Sequence, residues 1–316
     1  MSSRRCLYCY NELAASEVDF HTRCSKKIFG SPKPPELPYT EMQMRELAEK
    51  IIQSQHAVTG VQPKLSLKVT EDTVKHKERF TIVGALGEYI LKPHTKTFPT
   101  LPEVEDLTMH LAKLTGIKTV PHSLIRMRSG TLAYITKRID RHKGKRIHME
   151  DMCQISGRLT EDKYKGSYEQ IGKLISEHTD NPGLDLVNYF EQVVFCFLTG
   201  NADMHLKNFS LIETSNGEFE LTPAYDMVST ALVMPEDKED LGLTLNAKKK
   251  KIKRSDFEAA FLTVGLTTIQ GQNILAKMQK LLPKWFAFID KSFLNLEEQA
   301  LYKEIITERS ARLHNS

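Results

Sequence analysis

The sequence lacks any long run of apolar residues, and no segment approaches the roughly 18 residues of a membrane-spanning helix. It begins with basic residues, cysteines and acidic residues, where a secretory signal would have an apolar stretch. Its five cysteines are an odd number, which speaks against a disulfide framework. These absences predict a cytoplasmic protein without a membrane partner.

Phosphate-binding sequences of the P-loop type are also missing. The pattern G-x-x-x-x-G-K-[ST] does not occur, and the segment 59–64 has one glycine in place of a G-x-G-x-x-G set. A net charge of +4 does not by itself indicate nucleic-acid binding, which would require a clustered basic stripe.

The chain of 316 residues is long enough for one large two-lobed domain or two ordinary ones. Four prolines between positions 31 and 38 cannot sustain a helix or a central strand, so they indicate a linker. We therefore expect three parts. They are a Cys/His module with its linker at 1–38, a β-rich lobe at 39–140 and a helical lobe at 141–316.

The pattern of the second part is that of a small α+β lobe. Apolar residues at helical spacing predict helices at 41–53 and 103–115. Alternating or apolar segments predict five strands, at 61–69, 80–83, 88–92, 123–127 and 131–136.

The third part is mainly helical. The segment 184–199 is apolar almost all round, which predicts a central buried helix. Ser255 begins a capping-box pattern and is expected to open a further helix. Two more helices are predicted at 268–290 and 296–313.

The segment after the buried helix carries the residues most suggestive of chemistry. A hairpin is predicted there, with strands at 209–212 and 219–221 and a type I′ turn at Asn216 and Gly217. The helix thus delivers Asp203 and Asn208 in a loop, and the hairpin returns Asp226 beside them.

Phosphoryl transfer uses this arrangement of side chains. One carboxylate deprotonates the attacking hydroxyl, while an amide and a second carboxylate hold Mg²⁺. Asp203 and Asn208 have the Asp-x4-Asn spacing of the protein-kinase catalytic loop, and Asp226 has the place of the metal-binding aspartate. Alternatively, Asp203, His205 and Asn208 only form turns, but the order of helix, hairpin and second aspartate favours a kinase.

A kinase also needs a lysine on an upstream strand and a loop over the phosphates. Lys92 ends a predicted strand, and its burial is costly unless a phosphate or Glu105 on the next helix pairs with it. Lys64 closes the segment with the single glycine. Lys92 could instead be a charge at a strand end, and Lys64 a solvated loop residue.

Six segments, in order, closely resemble motifs of the HipA/HipT family of bacterial toxin kinases. They are 59–64 (TGVQPK), 89–93 (YILKP), 137–141 (KRIDR), 150–154 (EDMCQ), 200–210 (GNADMHLKNFS) and 223–226 (PAYD). The resemblance covers roughly residues 40–316. It implies a protein-kinase-like bilobal fold of the α+β class, with a small β-rich N-lobe and a mainly helical C-lobe.

The resemblance implies serine/threonine protein kinase activity with ATP and Mg²⁺. It makes Asp203 the base, Asn208 and Asp226 the Mg²⁺ ligands, and Lys92 the nucleotide lysine paired with Glu105. The phosphate-covering loop would contain Thr59, Gly60, Val61, Gln62 and Lys64.

Several positions depart from the family pattern or from protein kinases in general. His205 stands where typical protein kinases have a catalytic-loop lysine, and Lys207 is a candidate for the γ-phosphate contact instead. The phosphate loop of the family often carries autophosphorylated serines, whereas Ala57 and Thr59 occupy the matching positions here. Thr59 is the remaining candidate, and a phosphate on it would repel ATP.

The family resemblance also implies partners. An aminoacyl-tRNA synthetase is the expected protein substrate, and its phosphorylation would arrest growth. A helix-turn-helix antitoxin would restrain the kinase and provide its contact with DNA. The chain is similar to the short HipT type, in which a separate small protein can supply the N-terminal subdomain of the longer HipA toxins.

Cys6, Cys9, His21 and Cys24 form two close pairs, which is the Cys₃His ligand set of a structural zinc site. A metal would order a segment too short to build its own core. The alternative is a tail with reduced surface cysteines. Since no proposed catalytic residue lies before Lys64, loss of the zinc is expected to leave kinase activity intact.

The run 248–254 contains six positive charges in seven residues. It could attract an acidic protein or a tRNA-bound substrate, or it could be a solvated loop before a helix. Two other functions also stay open. They are a lipid or small-molecule kinase on the same fold and a catalytically silent, zinc-bearing regulatory module.

Overall fold

The computed structural model describes residues 4–44, 46, 47, 64–72, 77–83, 87–142 and 144–314. The chain forms two compact units. The first comprises Met1–Asp106 and Val120–Gly144, and the second comprises Leu107–Thr119 and Lys145–Ser316.

The first unit is built on a five-stranded antiparallel sheet among its described residues, with the order β2-β1-β3-β5-β4. The strands are β1 Leu65–Asp72, β2 Lys77–Ile82, β3 Tyr89–Pro93, β4 His122–Arg126 and β5 Leu132–Lys137. Each lies at or within a few residues of its predicted position. Pro93 can end β3 because proline has no N–H to donate to a continued ladder.

The N-terminal Cys/His module packs on this sheet within the first unit. Its helix, α1 Thr22–Phe29, ends at Gly30, which has a left-handed conformation (φ 80). The ring of Phe29 meets Phe80 edge to face at 5.8 Å. Leu7 accepts backbone hydrogen bonds at the edge strand β4, from Leu124 N–H at 3.2 Å and from the Ser123 hydroxyl at 3.1 Å. The module therefore shares the hydrophobic core of the sheet.

Helix α2 (Leu101–Leu114) begins in the first unit and ends in the second. The predicted helix at 41–53 is helical at 41–44, 46 and 47, and its remaining residues lie outside the described ones. Short strands β6 (Arg141–His142) and β7 (Lys145–Arg146) follow the sheet in sequence.

The second unit contains a small antiparallel sheet with the order β10-β9-β8. Its strands are β8 Met149–Asp151, β9 Ser210–Glu213 and β10 Phe219–Leu221. The predicted hairpin is present, but its turn is not type I′. Gly217 N–H donates to the carbonyl of Thr214 at 3.1 Å, and only Gly217 of the pair Asn216–Gly217 has a positive φ. The turn therefore spans Thr214 to Gly217, and the loop is longer than the two-residue loop of a type I′ hairpin.

Helices make up most of the second unit. They are α3 Met152–Ile155, α4 Tyr168–His178, α5 Pro182–Thr199, α6 Thr230–Val233, α7 Arg254–Thr263, α8 Thr268–Ile289 and α9 Leu296–His314. Helix α5 is buried on all sides from Tyr189 to Thr199, which confirms the predicted central helix. None of the described helices combines the length and apolar character needed to cross a bilayer.

The start of α7 corrects the sequence prediction. The helix begins at Arg254 with Lys253 at its N-cap, so Ser255 lies inside the first turn. The Asp256 carboxylate accepts the Lys253 N–H at 2.9 Å, and this reach back to the N-cap satisfies a donor that the helix leaves open. Aspartate at the third helical position, rather than a serine cap, closes the helix end.

Three of the six basic residues of the run 248–254 form local ion pairs. Lys248 pairs with Asp256 at 2.7 Å, Lys249 with Glu239 at 3.5 Å, and Arg254 with Glu258 at 2.7 Å. The charges of Lys248, Lys249 and Arg254 are therefore partly neutralised by neighbouring carboxylates.

Candidate functional site

The loop after α5 holds Asp203 through local backbone contacts. Gly200 ends the helix in a left-handed conformation (φ 70), and a Cβ at this position would lie 2.7 Å from that of Ala231. The side-chain oxygen of Asn201 accepts the Asp203 N–H at 3.0 Å. The sharp exit from the buried helix therefore needs glycine, and the asparagine fixes the direction of the next turn.

Asn208 lies against Asp203. It is buried at the end of a 3₁₀ turn, Leu206–Asn208, and its Nδ2 donates to the backbone carbonyl of Asp203 at 3.0 Å. This hydrogen bond identifies the amide nitrogen and leaves Oδ1 as the atom with which Asn208 would bind a cation. The structure thus brings these two predicted site residues together.

Asp226 is attached to the same loop through its neighbour. The Tyr225 hydroxyl donates to the carbonyl of Lys207 at 3.0 Å and lies 2.6 Å from the hydroxyl of Ser210. Burial raises the pKa of Tyr225, so the phenol keeps its proton as a donor. Asp226 has a left-handed backbone (φ 55), a strained conformation for a residue other than glycine and one that recurs at functional sites.

Lys207 points to an acidic partner. Its ammonium group lies 2.6 Å from the carboxylate of Asp151, which also caps helix α3 by accepting the N–H of Gln154 at 3.0 Å. Lys207 is about one-third exposed. The ion pair holds a positive charge beside the Asp203–Asn208 loop.

Tyr164 contacts two candidate site residues and was not predicted from the sequence. Its hydroxyl hydrogen-bonds to Oδ1 of Asp203, and its ring meets that of His205 edge to face at 4.9 Å. Burial and then the charge of Asp203 raise the pKa of Tyr164, so it donates to the carboxylate as a neutral phenol. Tyr164 lies 39 residues before Asp203 in an irregular segment with no motif, so no sequence signal pointed to it.

Gly242 packs against the back of the loop. A Cβ on Gly242 would lie 2.7 Å from the carbonyl oxygen of Ala202 and 3.2 Å from that of Met204. Both contacts are with backbone and cannot be relieved by rotating a side chain. The segment around Gly242 therefore supports the loop because it has no side chain there.

In the first unit, Lys92 and Glu105 form a buried ion pair. Lys92 on β3 lies 2.5 Å from the Glu105 carboxylate on α2, and both side chains are less than 5% exposed. The Lys92 ammonium also lies over the Tyr134 ring, 5.4 Å from its centroid. Charges so deeply buried are tolerated only when they are paired, so each residue depends on the other.

The other residues predicted to bind the nucleotide belong to the phosphate-covering loop, and only Lys64 of them lies in the described part of the chain. Lys64 is exposed immediately before β1. Thr59, Gly60, Val61 and Gln62 lie outside the described residues, as does Ala57.

The N-terminal module of the first unit brings together the four predicted zinc ligands, Cys6, Cys9, His21 and Cys24. Their ligand atoms all lie within 4.8 Å of one another. His21 Nδ1 is 3.5 Å from the sulfur of Cys9 and 3.7 Å from that of Cys24. Its other ring nitrogen lies 3.0 Å from the carbonyl of Glu12, which is the outer contact that usually orients a metal-binding histidine.

Burial disfavours the charged thiolate form of Cys6 and Cys24. Burial, followed by the charges of Cys6 and Cys9, raises the pKa of Cys24 to about 12. Burial also raises the pKa of Cys6. A bound metal would stabilise the thiolates that burial disfavours. Three sulfurs and one imidazole fit the tetrahedral donor set of structural zinc.

The antiparallel sheet of the first unit and the mainly helical second unit have the composition of a protein-kinase-like fold. The sequence model of the HipA-like C-terminal domain family matches residues 56–286, which is more than half of the chain. The chain therefore belongs to the HipA-like family, and the resemblance inferred from its motifs is confirmed.

Two curated relatives illustrate the match. A candidate kinase from Haemophilus influenzae is 32% identical over 212 residues, covering 62% of this chain and 59% of the relative. The serine/threonine-protein kinase toxin HipA of Shewanella oneidensis is 29% identical over 194 residues, covering 55% and 43%. The chain thus spans about half the length of the curated relatives it matches.

Two solved structures share the fold. HipA of Shewanella oneidensis, in its complex with HipB and operator DNA, aligns with a TM-score of 0.67 and 24% identity over 85% of this chain and 71% of that one. The Helicobacter pylori proinflammatory kinase CtkA aligns with a TM-score of 0.52 and 17% identity over 72% and 88%. The predicted α+β kinase-like fold, with a β-rich and a mainly helical part, is confirmed.

Proposed function

We propose that this protein is an ATP- and Mg²⁺-dependent serine/threonine protein kinase. The observation that carries the proposal is the loop after the buried helix α5, in which the Asn208 amide donates to the backbone carbonyl of Asp203 at 3.0 Å. Membership of the HipA-like family and the buried Lys92–Glu105 pair support it.

In this proposal Asp203 is the general base. Its carboxylate would accept the proton of a serine or threonine hydroxyl as that oxygen attacks the γ-phosphorus. The Tyr164 hydroxyl on Oδ1 would hold the carboxylate in one orientation. The second oxygen of Asp203 would then face the substrate.

Asn208 and Asp226 would hold Mg²⁺, because a side-chain amide oxygen and a carboxylate are the hard oxygen donors that this ion prefers. When bound, Mg²⁺ neutralises the charge of the nucleotide phosphates. Lys92, held by Glu105, would bind the phosphates of ATP. Lys207, beside Asp151, would add a positive charge near the transferred group, and His205 would support Tyr164.

The Cys/His group would bind one zinc ion with a structural role. The four side chains would fill all four positions of a tetrahedral zinc ion, which leaves no position for a substrate. The expected evidence is about one zinc per purified chain, absent after Cys6→Ser and Cys9→Ser substitution.

We further infer a role in a cytoplasmic toxin-antitoxin system. The related Shewanella HipA is named a toxin and was solved with HipB and operator DNA. By analogy, the partner here would be a DNA-binding antitoxin, with an aminoacyl-tRNA synthetase or another translation component as substrate. A separate small protein could supply the N-terminal subdomain.

Labelled ATP and a cell lysate test the activity. Purified wild-type protein should transfer the label to one or a few lysate proteins, on serine or threonine, only when Mg²⁺ is present. Asp203→Asn is the matched control, since it keeps the size and most hydrogen bonds of the side chain. Equal labelling by both proteins, or label found only in lipid or small molecules, would contradict the proposal.

A further inference from the structure

One buried tyrosine connects the Cys/His module to helix α2. Tyr10 directly follows the candidate zinc ligand Cys9, and its side chain is 1% exposed. Its hydroxyl donates to Oδ2 of Asp106 at 2.7 Å.

The position of Tyr10 depends on the turn that carries Cys6 and Cys9. Tyr10 has a left-handed backbone (φ 62), which a residue with a side chain adopts only when its surroundings hold it there. Its N–H donates to the carbonyl of Cys6 at 2.9 Å, and the Cys6 N–H donates to Asn11 at 2.9 Å. A metal that joined Cys6 to Cys9 would stabilise this turn and therefore the direction of Tyr10.

Asp106 in turn lies beside the candidate nucleotide pair. It directly follows Glu105 on α2, and both residues are buried. Its second oxygen lies 2.6 Å from His122 Nδ1. The His122 ring stacks on Tyr134 at 6.1 Å, and Tyr134 is the ring over which the Lys92 ammonium lies.

These contacts lead from Asp106 toward both members of the ion pair. On one side, Tyr10 holds Asp106, which is the covalent neighbour of Glu105. On the other side, Asp106 contacts His122, which stacks on the Tyr134 ring beneath the Lys92 ammonium. Other contacts join the module to the sheet instead. The Tyr89 hydroxyl, for example, donates to the carbonyl of Ile28 at 3.1 Å.

We propose that Tyr10 and Asp106 are positioning residues for the Lys92–Glu105 pair, and that the metal-loaded Cys/His module thereby supports nucleotide binding. This inference rests on the proposed kinase function. It differs from the expectation, drawn from the sequence, that the module and the chemistry are independent.

The test compares two substitutions that each remove one buried phenol hydroxyl. Tyr10→Phe breaks the hydrogen bond to Asp106, whereas the matched control Tyr89→Phe breaks a bond between module and sheet that does not lead to α2. Zinc content, melting temperature and the affinity for Mg²⁺-ATP would be measured for both. Tyr10→Phe should retain its zinc and bind ATP about 5- to 10-fold more weakly, the usual effect of one buried hydrogen bond. Tyr89→Phe should stay within about twofold of wild type in ATP affinity.

A double-mutant cycle separates positioning from general destabilisation. If Tyr10 acts through Glu105, adding Tyr10→Phe to Glu105→Gln should weaken ATP binding no further. Equal ATP affinity of Tyr10→Phe and wild type would overturn the inference. Equal losses in Tyr10→Phe and Tyr89→Phe, or strictly multiplicative effects in the cycle, would also overturn it.

Hydrogen exchange provides a readout that does not depend on activity. Metal removal and Tyr10→Phe should each increase amide exchange in residues 101–106, whereas Tyr89→Phe should not. If wild type binds no nucleotide, the proposed kinase function fails, and the exchange result alone decides the link between module and helix. Unchanged exchange in 101–106 after metal removal would overturn that link.

Discussion

The two units hold their candidate functional charges in opposite ways. In the first unit, Lys92 and Glu105 are sealed in the interior and depend on each other. In the second unit, Asp203 lies in a partly exposed loop and is oriented by a backbone turn and by Tyr164. The first arrangement fixes a charge in place by burial, whereas the second leaves a charge accessible to solvent.

The largest expected effect tests the exposed carboxylate. Asp203→Asn should lower the rate of phosphoryl transfer by about 10²- to 10⁴-fold, because it removes a general base. It should change the free energy of unfolding by no more than about 0.5 kcal/mol, as is usual for a site away from the core. Labelling kinetics and urea unfolding of the same preparation would check both. A folded variant as active as wild type would show that Asp203 is not the base.

Substitution in the buried Lys92–Glu105 pair should, in contrast to Asp203→Asn, strongly lower the stability of the fold. Glu105→Leu leaves Lys92 buried without its carboxylate and should cost about 3–5 kcal/mol in the free energy of unfolding. The double variant Lys92→Met/Glu105→Leu should recover most of that loss, because it removes both charges, yet neither variant should bind ATP well. Urea unfolding measures the difference. If the double variant is as unstable as Glu105→Leu, the cost comes from packing and not from the lone charge.

The Cys/His module is a third kind of site, in which a bound zinc ion would stabilise the buried thiolates. Zinc must displace thiol protons, and burial raises the pKa of Cys24 to about 12, so zinc affinity should rise with pH. In the metal-free protein the sign is opposite. Unfolded thiols ionise near pH 9 while Cys24 keeps its proton to about pH 12, so stability should fall as pH rises through that range.

Chelator competition at several pH values and thermal melts of the metal-free protein would measure both trends. Cys153→Ser is a suitable control, because Cys153 is a buried cysteine outside the module. Zinc affinity that does not change with pH would mean that the thiols are not the ligands.

The smallest expected effect concerns Tyr164. Tyr164→Phe removes the hydrogen bond to Asp203 but keeps the ring on His205, so kcat should fall by only about 3- to 10-fold, the value of one hydrogen bond to a charged group at a partly exposed site. KM for ATP should not change. A shift in KM alone would indicate that Tyr164 contacts the nucleotide and does not orient the base.

Sequence reasoning succeeded where a short pattern sufficed. The apolar segment of α5 predicted a buried helix, and the helix is buried. Paired cysteines and His21 predicted a cluster whose ligand atoms do converge. The predictions of a Ser255 N-cap and of a type I′ turn at Asn216–Gly217 were wrong. In both places the same residues fit two local conformations, and the sequence alone does not distinguish them.

Contacts between distant residues were beyond its reach. Tyr164 reaches Asp203 across 39 positions, Lys207 reaches Asp151 across 56, and Tyr10 reaches Asp106 across 96. No local periodicity encodes these pairs, since each depends on how separate elements pack.

The sequence by itself determined the family, the α+β class and the residues of the candidate kinase and zinc sites, because motifs along one helix, loop or hairpin are a local property. Only the tertiary structure decided which partners hold those residues. Burial makes an unpaired charge or hydroxyl costly, so packing selected Asp106 for Tyr10 and Asp151 for Lys207. Glu105 is the partner expected for Lys92 from the sequence, and the structure shows how deeply that pair is buried.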